Sequence, residues 1–274
     1  MDVTPTLSTV QRLVAADLQQ FEDALREAFS IDSVTLGEVM DYLLAAKGKR
    51  LRPTLVFLSA RLVGEPPDTT MRTALFVELL HTATLIHDDV VDDSSERRGR
   101  PAVHMRWDTP TAVLAGDYLL AKAMELLAYS ENLPILRQML DTARSMSEGE
   151  IMQREEDRRQ ETEDGRYLEV IKRKTAMLFK SCCIGGALSA GASERQAALL
   201  GEFGLNLGMV FQLRDDLLDD DDPKTTEMAA ALLPWYLEKT MNAIEALEAE
   251  HGTLSVEVLE SLRALALFCA ERSH

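Results

Sequence analysis

Two acidic clusters with the same spacing stand at the ends of apolar stretches. Asp88 and Asp92 belong to the first, Asp215 and Asp219 to the second, and both clusters read DDxxD. On an α-helix, residues four apart share a face, so each pair sets two carboxylates side by side. Carboxylates about 5 Å apart repel by roughly 3 kcal/mol at an effective dielectric constant near 20. A solvated helix end is the plain alternative for either cluster alone, but two on apolar helices indicate cation binding.

The chemistry of the ligands predicts hard cations. All candidate ligands, including Asp216 in the second cluster, are carboxylates, and no Cys or His is required. Oxygen ligands favour Mg²⁺, which keeps waters and bridges to phosphate, ahead of Mn²⁺. Neither cluster has the Asp-x-Asp spacing, central Gly and later Glu of a calcium-binding EF-hand. Several catalytic Mg²⁺ ions are therefore expected.

Basic clusters are informative in a chain with 46 acidic and 29 basic residues. The run KGKRLRP at 47–53 places cations around a glycine just before an expected helix, a combination that suits a diphosphate. Arg97 and Arg98 follow the first acidic cluster, and Lys174 and Thr175 precede an apolar stretch. Each could be a surface charge, but acidic and basic groups alternate as metal–diphosphate chemistry requires.

Helices must position these residues. Apolar residues recur at three- and four-residue spacing and strand-like alternation is scarce, which predicts an all-α fold of about ten helices. Segments 71–87 and 198–218 are apolar on more than one face, as in the central helices of a bundle. Gly, Pro and Asx residues predict helix ends at 64–68, 98–101, 109–110, 131–134, 163–165 and 222–223.

Composition narrows the class of protein. A length of 274 residues predicts a single domain, residues 1–274. The net charge of −17 argues against nucleic-acid binding. No leader and no run of about 18 apolar residues is evident, so a soluble, cytoplasmic protein without a transmembrane segment is expected. The three cysteines are interpreted as reduced core residues.

The ordered motifs resemble those of the trans-isoprenyl diphosphate synthases, especially bacterial medium- and long-chain polyprenyl synthases. The motifs are GKRLRP, ELLHTATLIHDDVVDDSSERRG, SEGEIMQ, KTAMLF and FQLRDDLLDD, all within residues 15–222. The resemblance implies mostly antiparallel helices around a central cavity, the two Asp motifs facing each other across it, and a homodimer. It implies Mg²⁺-dependent condensation of isopentenyl diphosphate with an allylic diphosphate (geranyl, farnesyl or geranylgeranyl), giving a medium- to long-chain all-trans polyprenyl diphosphate.

The resemblance also implies residue roles. The isopentenyl diphosphate ligands would be Lys49, Arg52, His81 and Arg98, of which His81 lies two helical turns before Asp88 on the same face. The allylic diphosphate ligands would be Arg97, Lys174, Thr175 and Gln212. The metal ligands, direct or through water, would be Asp88, Asp92, Asp215, Asp216 and Asp219. The residues expected to act in catalysis are Asp88, Asp92, Arg97, Lys174 and Asp215.

Product length is predicted from the helix before the first Asp motif. Short-chain relatives carry bulky aromatic residues four or five positions before that motif, where this chain has Thr84 and Ala83. A growing chain should therefore pass this level. The next blocks expected are Leu80, Phe76 and Val77 on the same helix, or groups from the helix around Val113 and Leu114.

The chain departs from the family after Asp222. Relatives carry a Gly/Lys-rich segment there, which contributes a lysine to the allylic diphosphate and helps to close the site. Either this chain lacks the segment or the sequence omits it. Omission is favoured, because residues 234–272 still resemble the family's last helices.

Two other functions compete with this interpretation. A terpene cyclase shares the helical fold and one DDxxD motif, but it uses a different second metal motif and does not need GKRLRP. A non-catalytic subunit of a heteromeric prenyl synthase would usually lose its Asp motifs, and both are intact here. The carbon number, the primer, the pathway and the choice between homodimer and heterodimer stay open.

Overall fold

The structure, a computed structural model, describes residues 6–29, 31–46, 48–159, 164–219, 222–250 and 256–272, without the side chains of 157–159 and 164. Lys47 and Asp220, which belong to the basic run and the second acidic cluster, lie outside these residues. Helices dominate the described residues, which confirms the all-α fold. The α-helices are α1 Leu7–Gln11, α2 Ala15–Glu27, α3 Val34–Leu44, α4 Leu51–Val63, α5 Asp68–Val91, α6 Val103–Arg106, α7 Thr109–Ala128, α8 Leu133–Arg159, α9 Asp164–Ile171, α10 Met177–Ser189, α11 Glu194–Asp219, α12 Pro223–Glu250 and α13 Val256–Glu271.

The centre of the bundle contains α4, α5, α10 and α11. Phe57, Phe76, Phe179 and Phe203, one from each of these helices, are at most 2% exposed and belong to one continuous core. Burying one such side chain contributes about 1.5–3 kcal/mol relative to leaving it exposed. The two segments predicted to be central helices are therefore α5 and α11.

The predicted breaks coincide with helix ends except for the break at 98–101, which falls in a short hairpin between α5 and α6. At 109–110, for example, α7 begins with Pro110 in its first turn, where its missing N–H costs nothing. Asp108 caps this helix, because its carboxylate accepts a hydrogen bond from the backbone N–H of Thr111 at 2.7 Å. At 222–223, Asp222 similarly accepts from the N–H of Thr225 at 2.9 Å, at the start of α12.

A short hairpin connects α5 to α6. Strands β1 (Glu96–Arg97) and β2 (Arg100–Pro101) are antiparallel, with Arg97 opposite Arg100. The two residues between them, Arg98 and Gly99, have φ values of 54° and 70°. Positive φ at both positions is the mark of a type I′ turn, which matches the twist of a two-stranded ribbon. Both arginines of the predicted diphosphate site thus lie on one hairpin.

Two further expectations concern the helices and the cysteines. Within the ranges that the structure describes, no helix is long and apolar enough to cross a membrane. Cys182, Cys183 and Cys269 are buried and free, as expected for reduced core residues.

Candidate active site

A cavity of about 580 Å³ lies between α4, α5, α8, α11 and the turn that precedes α10, with Arg97 of the hairpin also in its wall. It has an apolar part, formed by residues such as Leu85, Met146 and Phe211. Acidic and basic side chains line the rest. The sequence-predicted residues that it brings together are Arg52, His81, Thr84, Asp88, Asp92, Arg97, Lys174, Thr175, Gln212 and Asp215.

Four of the residues predicted to bind diphosphate or metal do not line this cavity. Lys49 and Asp219 are exposed. Arg98 lines a smaller, mostly apolar cavity of about 100 Å³, which shares His81 and Arg97 with the main one. Asp216 lines a neighbouring polar cavity of about 320 Å³, which shares Lys174 and two more residues with the main one.

The predicted chain-length residues divide into two groups. Thr84 lines the main cavity, and its hydroxyl is already satisfied by donation to the backbone oxygen of His81 at 2.9 Å. Ala83, Leu80 and Phe76 are 2%, 3% and 0% exposed and belong to the core. Only Thr84 of this set therefore meets the cavity directly.

The first Asp motif lies at the carboxyl end of α5. The helix ends at Val91, and the N–H of Asp92 donates to the backbone oxygen of Asp88 at 2.8 Å. The partial negative charge of a helix carboxyl end adds to that of the side chains and favours cations. Arg154 is one such cation at this helix end, because its guanidinium donates to the backbone oxygen of Val91 at 3.0 Å.

Burial makes this end of α5 electrostatically costly. It raises the pKa of Asp88 from 3.8 to about 6; Lys174 opposes the shift, while Glu150 and Asp92 reinforce it. A raised carboxyl pKa means that the charged form is poorly stabilised. A further cation beside Asp88 would therefore stabilise its charged form.

Asp89 has a different task from its neighbours. It is 4% exposed, and its carboxylate accepts a hydrogen bond from Arg97 Nε at 2.8 Å. This ion pair ties the hairpin to α5 and holds Arg97 at the edge of the cavity. The pairing explains why Asp88 and Asp92, and not Asp89, line that cavity.

The second Asp motif, at the carboxyl end of α11, has a partner that sequence reasoning missed. Asp215 pairs with Arg272 at 2.5 Å, and the Arg272 guanidinium also donates to the backbone oxygen of Phe211 at 2.9 Å. The same guanidinium stacks 3.8 Å from the centre of the Phe211 ring. No local pattern marks Arg272, because its partners lie 57 to 61 residues earlier, counting 272 − 215 and 272 − 211.

Asp216 belongs to a hydrogen-bonded chain of side chains. Its carboxylate accepts from Tyr167 through one oxygen and from Gln212 Nε2 at 2.9 Å through the other. The Gln212 oxygen in turn accepts from the Thr175 hydroxyl at 2.8 Å. Thr175, Gln212 and Asp216 are thereby fixed relative to one another, and Tyr167 is a second residue that sequence reasoning missed.

A π-helical turn over Lys172–Ala176 carries Lys174 and joins α9 to α10. Single π-helical turns often occur at functional sites. Lys174 pairs with Glu150 at 2.6 Å and donates to Gln153 at 2.9 Å, both on α8. Gly149 permits this contact, since a Cβ there would stand 2.9 Å from the Lys174 backbone nitrogen. The SEGEIMQ motif therefore positions the lysine.

Positive charge is concentrated where a diphosphate could bind. Arg52 is partly buried, its buried Nε has no hydrogen-bond partner, and it makes no ion pair within the described ranges. Its guanidinium lies 5.2 Å from the centre of the Phe179 ring. Burial lowers the pKa of nearby His81 well below its usual value, and the charges of Arg52 and Arg98 lower it further. A partly buried arginine without a carboxylate partner indicates a site for an anion.

Arg50, in the same basic run, is neutralised instead. It pairs with Glu22 at 2.6 Å and with Glu78, which is 8% exposed. Its backbone is left-handed, with a φ of 51°, immediately before α4 begins. The two carboxylates thus hold the junction between Lys49 and the start of α4, which carries Arg52.

The donors present fit a hard divalent cation. Asp88 and Asp92 flank one edge of the cavity and Asp215 lies on another, all with oxygen ligands. Burial also raises the pKa of Asp216. In the part of the chain that the structure describes, no three His, Cys, Asp or Glu side chains form a ready-made metal site by themselves.

Comparison with known proteins identifies the family. Residues 33–228 match the family described as Polyprenyl synthetase, and the chain belongs to it. The octaprenyl diphosphate synthase of Haemophilus influenzae is 36% identical over 214 residues, which is 78% of this chain and 65% of that protein. A geranylgeranyl diphosphate synthase of Methanosarcina mazei is 39% identical over 188 residues, 67% of this chain and 58% of that protein.

The fold is similar to that of a solved relative over its whole length. A Caulobacter crescentus polyprenyl synthase, whose structure contains calcium and isoprenyl diphosphate, has a TM-score of 0.87 and 29% identity and covers 100% of both chains. The match nevertheless spans less than two thirds of the length of the two sequence relatives above. The fold class predicted from the sequence is confirmed.

Proposed function

We propose that this protein is a trans-prenyltransferase that joins isopentenyl diphosphate to an allylic diphosphate with Mg²⁺ as the metal. One observation carries the proposal: a single cavity of about 580 Å³ brings Arg52, Arg97 and Lys174 together with Asp88 and Asp215. Two diphosphates need such cations, and metal ions need the carboxylates. Family membership agrees with this chemistry.

The chain's own residues divide the work. Arg97 and Lys174 orient the allylic diphosphate. Asp89 holds Arg97 in place, and Glu150 holds Lys174 in place. Arg52 and His81, which are partly buried and line the same cavity, bind the second diphosphate. Holding both substrates in reacting geometry removes much of the entropic part of the barrier.

The metals would be held by Asp88 and Asp92 on one side and by Asp215 and Asp216, directly or through water, on the other. Bound Mg²⁺ neutralises negative charge that develops on a leaving diphosphate. The bond between the allylic carbon and its diphosphate oxygen breaks, the double bond of isopentenyl diphosphate forms the new carbon–carbon bond, and the released diphosphate takes the proton. Leu85, Met146 and Phe211 supply apolar surface that excludes water from the allylic cation.

We propose a medium- to long-chain product. The cavity wall carries Thr84 where a bulky side chain would end the growing tail, and the Thr84 hydroxyl is turned to its own helix. The names of the relatives span geranylgeranyl and octaprenyl diphosphate synthases, so they support the reaction and leave the length to measurement.

We also propose a homodimer. Helices α7 and α8 carry apolar side chains on their outer faces, among them Leu114 at 66%, Leu133 at 50% and Leu140 at 41% exposure. Several large apolar side chains exposed on these two helices suit a surface that a second copy of the chain covers. Light scattering of the purified protein tests this directly, and a monomer at micromolar concentration would contradict it.

The test of the function is a product assay. Purified protein receives labelled isopentenyl diphosphate, Mg²⁺ and geranyl, farnesyl or geranylgeranyl diphosphate in turn, and the dephosphorylated products are sized. We expect linear chains longer than the primer, together with released diphosphate. Cyclic hydrocarbon from an allylic diphosphate alone would indicate a cyclase instead, and turnover only after addition of a second protein would indicate a subunit of a heteromeric enzyme.

A further inference from the structure

The hairpin that carries Arg97 and Arg98 is fastened to α3 at Tyr42, through both the side chain and the backbone oxygen of this residue. The Tyr42 hydroxyl donates to the backbone oxygen of Pro101 at 2.7 Å, and the Arg100 guanidinium donates to the backbone oxygen of Tyr42 at 2.9 Å. Tyr42 therefore holds both residues of β2. Because β2 pairs with β1, its position also sets that of Arg97.

Two arginines also stack on the Tyr42 ring. The guanidinium carbon of Arg100 lies 3.8 Å from the ring centre and that of Arg106 lies 4.3 Å from it. The ring of Trp107 meets the same ring edge-on at 5.4 Å. A guanidinium over an aromatic ring is attracted by the negative face of the ring, so each stack helps to hold its arginine in place. The hairpin and α6 thus share one aromatic anchor.

The two substrate arginines of this hairpin are not equally secured. Arg97 has a second anchor in Asp89 on α5. Arg98 stands in the type I′ turn, and it makes no ion pair within the described ranges. Its guanidinium lies against the basic loop, where a Cβ on Gly48 would be 3.2 Å from Arg98 Nη1. The position of Arg98 therefore depends on the hairpin as a whole.

We infer that Tyr42 is a positioning residue for diphosphate binding, because it fixes the hairpin that presents Arg98 and Arg97 to the substrates. The inference rests on the proposed function and adds a residue to it. Tyr42 lies on α3, which leads directly into the loop that bears Lys49. It thereby links the two segments that carry the arginines and lysines predicted for isopentenyl diphosphate.

The experiment uses Tyr42→Leu, Tyr42→Phe and the control Tyr118→Leu in the full chain. Tyr118 is also half-buried and aromatic, but it packs near Phe29 and not on the hairpin. For Tyr42→Leu we expect the KM for isopentenyl diphosphate to rise about tenfold, the allylic KM to rise less and kcat to change by less than about threefold. Tyr42→Phe, which keeps the stacked ring, should recover most of the loss, and Tyr118→Leu should leave both KM values unchanged.

A double-mutant cycle separates positioning from general stability. If Tyr42 acts through Arg98, then Arg98→Ala should raise the KM for isopentenyl diphosphate far less in the Tyr42→Leu protein than in the wild type. Additive effects, or a lower melting temperature with unchanged KM values, would overturn the inference. If Tyr42→Leu does not fold, the cycle is run with Arg100→Ala, which removes the hydrogen bond to the Tyr42 backbone and one stack on its ring, and additive effects in that cycle would also overturn the inference. A wild type without turnover would instead refute the proposed function.

Discussion

At the scale of single residues, Asp88 combines an expected metal role with an unfavourable environment. We predict that Asp88→Asn lowers kcat by several orders of magnitude while the metal-free protein becomes equally or more stable, since a buried charge is removed. The pKa of about 6 against the usual 3.8 corresponds to at most about 3 kcal/mol, which solvent screening reduces to roughly 1–2 kcal/mol. Chemical denaturation with a product assay measures both effects. Asp141→Asn, at a carboxylate that is 69% exposed, is the matched control.

The same residue predicts a pH dependence of stability. Because the folded-state pKa of Asp88 is raised to about 6, the folded protein binds more protons than the unfolded chain between about pH 4 and pH 6. The Asp88 contribution to the free energy of unfolding should therefore fall as pH rises through this window. In metal-free buffer the difference between wild type and Asp88→Asn should grow from pH 4 to pH 6 and then level off. A difference independent of pH would contradict the assignment.

Arg272 gives a third prediction at this scale. Arg272→Ala leaves Asp215 without its partner and removes the stack on Phe211, so the metal-free protein should lose about 1–3 kcal/mol of unfolding free energy. Mg²⁺ with inorganic diphosphate should reduce this loss, because a metal ion supplies a replacement cation for Asp215. Thermal denaturation with and without Mg²⁺ and diphosphate measures the difference. An equal loss under both conditions would show that Asp215 does not meet the metal.

At the scale of elements, helix α8 controls the position of Lys174. In Gly149→Ala the new Cβ would stand 2.8 Å from the Cβ of Arg173, so the π-helical turn must shift. We expect a higher KM for the allylic diphosphate and a loss of about 1–3 kcal/mol of stability. Gly37→Ala is the control, since a Cβ there meets nothing within 4 Å and alanine should be neutral or stabilising. If the KM for the allylic diphosphate is unchanged in Gly149→Ala, the proposal that Lys174 binds this substrate is contradicted.

Several short elements could not be predicted from the sequence, for physical reasons. About ten helices were expected and thirteen α-helices occur in the described residues, partly because α1 and α6 have five and four residues, too few for a hydrophobic period to show. The hairpin was expected only as a break, since Arg98-Gly99 is not among the usual residue pairs of a type I′ turn. The strongly periodic segments, by contrast, were placed correctly as α5 and α11.

At the scale of the whole molecule, the site was predictable where its pattern is local. The DDxxD pairs depend on four-residue spacing, which the helix preserves, and their association with the basic residues followed from charge chemistry. The residues that hold the site's side chains in place were not predictable. Glu22 and Glu78, for example, pair with Arg50 although each is 28 residues away in the sequence and on a different helix. Arg272 reaches Asp215 only after the chain has folded back along α13. Long-range polar partners leave no periodic signal.

Product length is also a property of the whole cavity. We predict that Thr84→Phe shortens the product while turnover persists, because the ring enters the cavity and no phosphate or metal ligand changes. Ala83→Phe, the substitution suggested by the sequence, must first fit a residue that is 2% exposed and should cost about 1–3 kcal/mol. Of these two variants, we expect Thr84→Phe to make the shorter product. Wild-type product length in both variants would show that the tail does not pass this face of α5.

The central claim is that one cavity brings two diphosphates and divalent metals together. A crystal structure with Mn²⁺, isopentenyl diphosphate and an unreactive thio analogue of the allylic diphosphate tests it, since anomalous scattering locates the metal. The account predicts Mn²⁺ beside Asp88 and Asp92 and beside Asp215, the allylic diphosphate on Arg97 and Lys174, and its tail passing Thr84. Manganese bound elsewhere, or diphosphates outside this cavity, would contradict it.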